Sequence, residues 1–99
     1  MTTRRVAISR DAARDIDRIS DDTIERWGNR QARTYVATLR TDIDSLSEFA
    51  ERFPFHTGRY AQLRKMRSGH HLIFYGVTDD RVLIVRVLHE RMDVDRAKI

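Results

Sequence analysis

The chain has 99 residues, with 19 Lys+Arg against 15 Asp+Glu for a formal charge of +4, and no cysteine. That length predicts a single domain over residues 1–99, because two would each be too small to hold a core. The missing cysteines exclude disulfide scaffolds, thiolate zinc sites and cysteine nucleophiles. At 40% hydrophobic and 34% charged residues, the sequence is too apolar for disorder and too irregular for a fibre. The apolar runs Leu72–Tyr75 and Val82–Val85 are far shorter than the roughly 20 residues that a membrane helix needs. Met1-Thr2-Thr3-Arg4-Arg5 lacks the apolar stretch of a secretion signal, so the expectation is a soluble cytoplasmic domain with no membrane partner.

In chain order, Arg4–Ser9 alternates weakly and predicts a short first strand. Ser9 is placed to cap a helix running through Ala12, Ile16, Ile19, Thr23 and Trp27, with Gly28 ending it. Asn29 is placed to cap a second helix, whose apolar stripe runs through Ala32, Tyr35, Val36, Leu39, Ile43, Leu46 and Phe53 until Pro54 stops it. Two helices joined by Gly28-Asn29 make an antiparallel hairpin. Tyr60–Arg67 then predicts a polar strand, turned at Ser68-Gly69 into His70–Val77, which turns at Thr78-Asp79-Asp80 into Arg81–His89. The predicted class is α+β in the order β-α-α-β-β-β. The helix hairpin lies on one face of an antiparallel sheet, and the opposite face is left to the basic residues. In the tail Glu90–Ile99, the apolar anchors are Met92, Val94, Ala97 and Ile99.

The charge is unevenly placed. Met1–Phe53 holds ten Arg and ten Asp/Glu, whereas Pro54–Ile99 holds nine Lys/Arg and five Asp/Glu. The first part is solvated helix surface, and the second is a positive face suited to an acidic partner. None of the four histidines shows metal-ligand spacing, and His70 and His71 should point to opposite faces of a strand, so no metal is expected. There is no Gly-x-Ser-x-Gly elbow and no glycine-rich phosphate loop. One constellation remains, with Arg64, Lys65 and Arg67 on the polar strand, Arg86 in the last strand and His89 at its end. Arg with His in a groove suits metal-free RNA cleavage, which needs a base, phosphate-binding cations and an acid. The competing reading is structural, with Arg86 paired to an acid and His89 satisfying a carbonyl.

The order of several short motifs resembles the ParE branch of the ParE/RelE toxin superfamily of bacterial type II toxin–antitoxin modules. These are Ile8-Ser9, Ala12, Asp15-Ile16, Ile19, Trp27-Gly28, Gln31-Ala32, Tyr35 and Leu39, then Pro54, Gly58, Arg64, Ser68-Gly69-His70 and Ile73-Phe74-Tyr75. They end with Arg86-Val87-Leu88-His89 and Met92-Asp93. The resemblance implies the fold derived above, with no cofactor and no enzymatic activity. It also implies a growth inhibitor that binds DNA gyrase, stabilises plasmids, is neutralised by a ParD-like antitoxin and does not itself bind DNA. The alternative it carries is a RelE-type ribosome-dependent messenger RNA endonuclease using Arg67, Arg86 and His89. Here Glu90 follows His89 and no tyrosine follows Tyr75, a departure from the RelE pattern. Under the toxin reading, Arg86, His89, Arg91, Met92 and Asp93 are the expected target-binding residues. Tyr60, Leu63, Arg64, Lys65 and Arg67 are then expected to bind the antitoxin.

Overall fold

The computed structural model describes residues 3–99. The part of the N-terminal leader reading that rests on Met1 and Thr2 lies outside the described residues. The elements are β1 (Arg5–Ile8), α1 (Arg10–Trp27), α2 (Asn29–Phe49), β2 (Arg64–Ser68), β3 (His71–Val77) and β4 (Arg81–His89), followed by a single 3-10 turn at Val94–Arg96. Among the described residues no helix is long and apolar enough to cross a membrane.

Ser9 caps α1 as its sequence suggests, its Oγ accepting from the Ala12 N–H at 3.0 Å. Gly28 takes φ +93°, a conformation open to glycine, and serves both as the end of α1 and the start of α2. Asn29 is therefore not a cap. It is already the first residue of α2, and no side chain caps that end. The second helix stops at Phe49, short of the Phe53 expected from Pro54, because the backbone turns at Ala50 and Glu51.

The strands form one sheet in the order β1-β4-β3-β2. Strands β2, β3 and β4 make the antiparallel meander expected from their short turns. The sheet as a whole is mixed, however, since β1 pairs with β4 in parallel, from Arg5↔Arg81 to Ile8↔Ile84. The intervening helix hairpin returns the chain to the far edge, so β1 lies beside the last strand rather than the next one. The predicted strand Tyr60–Arg67 is shorter than expected. Tyr60–Leu63 form turns, and pairing begins at Arg64.

Between the hairpin and the sheet lies the main core. Ala12, Ile16, Leu39, Ile43 and Leu46 from the helices meet Met66, Ile73, Tyr75, Val82, Ile84 and Val87 from the strands. The Tyr75 hydroxyl donates to the Ala50 carbonyl at 2.8 Å, which keeps a buried polar atom satisfied.

The opposite face of the sheet is not a bare basic surface. A second apolar cluster of Leu63, Phe74, Leu88 and Val94 sits there, with Tyr60, Leu72, Val85, Ala97 and Ile99 packed against it. The tail lies over this face as a strap. The Tyr60 hydroxyl donates to the Ala97 carbonyl at 2.6 Å, and the Asp95 carboxylate accepts from the Arg59 N–H at 3.1 Å. Leu72, Phe74 and Leu88 are too apolar to face water together, so the chain covers them with its own end. Met92 is exposed and is not one of the anchors, whereas Val94 is buried.

Candidate functional site

At the end of the sheet where β2 turns into β3, Gly69 and His70 form a two-residue hairpin loop. Gly69 has φ +58°, and a Cβ placed there would lie 2.6 Å from the Tyr35 hydroxyl. Glycine thus lets the loop close onto α2. The Tyr35 hydroxyl accepts from the His70 N–H at 2.9 Å and lies 2.6 Å from His71 Nδ1. In the β3–β4 register His71 stands directly opposite His89, and their rings meet edge to face at 5.2 Å. The His70 ring is nearly parallel to that of His89 at 6.5 Å, and His70 Nδ1 donates to Glu90 at 2.8 Å. Arg67 binds the other oxygen of the same carboxylate. These two partners hold Glu90 at about 2, well below the usual carboxylate range.

His70 and His71 are therefore not split between the two faces of a strand. His70 belongs to the turn, so all three histidines gather at one end. Tyr35, His70, His71 and Glu90 escaped the sequence reading as site residues. The one available signal was a tight Ser-Gly turn beside paired histidines, with a third histidine ending the last strand. Among the described residues no group of three His, Cys, Asp or Glu is arranged to hold a metal ion.

Burial lowers the pKa of His71 below its ordinary value, and the neighbouring His89 and His70 lower it further. A histidine whose folded-state pKa lies below the unfolded one stabilises the fold above the unfolded pKa, near 6.5. That contribution is lost as pH falls from there through the lowered folded value. Urea unfolding at pH 7.5 and pH 5.5 is expected to show a lower midpoint at pH 5.5, with the drop reduced in His71→Gln. Equal drops in both proteins would remove His71 as the cause.

The other expected site residues are engaged by different partners. Arg86 donates through Nε and Nη2 to both oxygens of Asp15 at 2.8 and 2.9 Å, and through Nη1 to the Lys98 carbonyl at 2.9 Å. Asp15 is buried, and its Oδ2 also accepts from the Val87 N–H at 2.9 Å. Pairing with β1 ends at Ile84, so Asp15 and Ser9, whose Oγ donates to the Val85 carbonyl at 2.9 Å, satisfy the edge of β4 beyond it. The Arg86, Arg67 and His89 side chains thus have three separate tasks, and His89 Nδ1 accepts from the Arg91 N–H at 3.1 Å. Arg91 is exposed, and Asp93 caps the 3-10 turn through the Asp95 N–H at 3.2 Å.

On the β2 side, Tyr60 and Leu63 belong to the outer cluster. Arg64 donates to the Phe53 carbonyl at 2.7 Å and lies over the Phe55 ring at 4.1 Å, holding the connection to α2. Lys65 and Arg67 remain the accessible cations of this strand, half-buried and exposed respectively. Sequence reasoning also missed an open groove between the helices, lined by Ser20, Ile24, Ala32, Arg33, Val36 and Arg40. Nearby, Trp27 stands at the hairpin tip, 73% exposed. Apolar surface of this kind, flanked by Arg33 and Arg40, suits an acidic amphipathic segment.

Residues 6–94 match the family described as the ParE toxin of the type II toxin–antitoxin system parDE. The chain is 37% identical over 98 residues to Toxin ParE1 of Mycobacterium tuberculosis, covering 93% of this chain and 95% of that one. With Toxin ParE1 of Caulobacter vibrioides it shares 36% identity over 86 residues, covering 87% and 88% of the two chains. A solved chromosomal ParDE toxin–antitoxin system from P. aeruginosa has the same fold, with a TM-score of 0.79 at 18% identity, over 90% of this chain and 98% of that one. Together with two helices on a four-stranded sheet, the match over nearly the whole length decides the assignment: this chain belongs to the ParE toxin family of type II toxin–antitoxin systems.

Proposed function

We propose that this toxin acts in the cytoplasm by binding DNA gyrase without turning over a substrate, and that a ParD-like antitoxin neutralises it. The observation that carries this reading is the ParE family match across residues 6–94. The geometry is compatible with it. Arg86, one of the residues that the ribonuclease alternative requires, is committed to Asp15 in a structural pair. The antitoxin segment lies in the groove between α1 and α2, where Ile24 and Val36 receive its apolar residues and Arg33 and Arg40 its acids. It continues along β2 to Lys65 and Arg67.

Supercoiling by purified gyrase tests both halves of the reading. The chain is expected to inhibit supercoiling, and addition of the antitoxin to restore it. Ile24→Asp, at an exposed position in the groove, is expected to inhibit as before but to resist reversal, its affinity for the antitoxin falling by about tenfold or more, the size of one misplaced contact. Full supercoiling at toxin excess, together with cleavage of translated messenger RNA by primer extension, would replace this reading with the ribonuclease one.

A further inference from the structure

Three imidazoles packed at one end of a sheet are not required by the gyrase reading, and their hydrogen bonds give two of them the same tautomer. Tyr35 Oη already accepts the His70 N–H, and its own proton has two possible acceptors. One is His71 Nδ1 at 2.6 Å and the other the Ser68 carbonyl at 3.5 Å. The shorter contact takes it, so His71 Nδ1 is an acceptor and His71 carries its proton on Nε2. The Arg91 N–H points at His89 Nδ1 from 3.1 Å, so His89 also carries its proton on Nε2. Among the described residues neither Nε2 has a hydrogen-bond partner in the protein. The result is two neutral N–H donors on directly opposed residues of β3 and β4.

We propose that His71 and His89 form an uncharged oxyanion seat that takes a phosphate group at this end of the sheet. Neutral N–H donors of fixed tautomer bind an oxyanion without the cost of bringing two cations together. Positive charge comes from Arg91, exposed in the tail, while Arg67 from β2 and His70 from the turn share Glu90. The two carboxylates facing the cluster are each matched, Glu90 by Arg67 and His70, and Asp15 of α1 by Arg86. The hydroxyl of Tyr35, from α2, is the positioning group, since it fixes the His71 tautomer. Burial and the neighbouring imidazoles disfavour a charged His71, which agrees with a seat that works in its neutral form.

The test is imidazole nitrogen NMR of the full chain at pH 7.5 and constant ionic strength, titrated with inorganic phosphate and separately with adenosine 5′-monophosphate. The Nε2–H signals of His71 and His89 are expected to move together and saturate, while those of His56 stay still. His89→Phe, which keeps an aromatic ring and removes the donor at an exposed position, is expected to weaken binding about tenfold, the size of one hydrogen bond to a charged group. Tyr35→Phe is expected to weaken it by releasing the His71 tautomer, visible as a changed nitrogen shift in the unliganded protein. Equal affinity for both probes identifies the phosphate group alone as the ligand, and tighter binding of the nucleotide identifies a nucleotide phosphate. No saturable shift with either probe, or unchanged binding in His89→Phe, would overturn the proposal. So would a tenfold gain on acidification, which marks an ordinary site of charged histidines.

Discussion

Replacing Asp15 by alanine is expected to remove about 3–5 kcal/mol of stability, the cost of breaking a buried ion pair from one side. The change takes away both oxygens that hold Arg86 and leaves the Val87 N–H of β4 without its acceptor. Asp15 is 6% exposed and the Arg86 side chain 17%, so water does little to compensate. Stabilities of small domains lie in the range of about 5–15 kcal/mol, so this single change takes a large share. Urea unfolding followed by circular dichroism measures it, and the Asp15→Leu, Arg86→Met double variant is expected to recover part of the loss. A loss below about 1 kcal/mol would place the pair with ordinary surface salt bridges. The test also bears on function, because an Arg86 needed for target binding would lose affinity in Arg86→Lys even where folding is intact.

Phe74→Ala is expected to cost about 3–5 kcal/mol, as for other aromatic side chains truncated in a packed interior. Phe74 lies on the sheet face away from the helices, yet it is wholly buried under Leu63, Leu88 and Val94, with the His56 ring edge-on at 5.4 Å. A protein cut after Asp93 is expected to show the same cluster uncovered, with dye binding to exposed apolar surface and self-association in sedimentation. If Phe74→Ala lost less than about 1 kcal/mol, the outer cluster would be a surface decoration rather than a second core.

The helix hairpin was legible because its signals are local. Ser9, Gly28 and two apolar stripes lie within a few residues of what they control. The meander was legible for the same reason, with β-branched runs separated by turns. The parallel pairing of β1 with β4 was not, since it joins Arg5 to Arg81 and nothing in either segment marks the partner. Val94, Ala97 and Ile99 were legible as anchors of the tail, but not the outer face they cover, because they are spaced too widely among charges to show a period. The basic strand was read as one surface, but the side chains divide it. Leu63 turns inward, Arg64 binds backbone carbonyls, Arg67 binds Glu90, and Lys65 is left to a partner. Arg86 followed the structural reading that had competed with the catalytic one.

Between Phe74 and Tyr75 the β3–β4 register slips by one, leaving Val85 as an extra residue in β4. Up to that point the even-numbered residues Val82 and Ile84 face the helices, and beyond it Val87 does, opposite Ile73. Without the slip, Leu88 would stand opposite His71 and the last histidine would fall past the end of the pairing. Leaving that one residue out of the ladder thus keeps the two imidazoles in apposition. Deleting Val85 would straighten the strand and leave His71 opposite His89, whereas pairing Val85 within the ladder would push every later side chain of β4 to the other face.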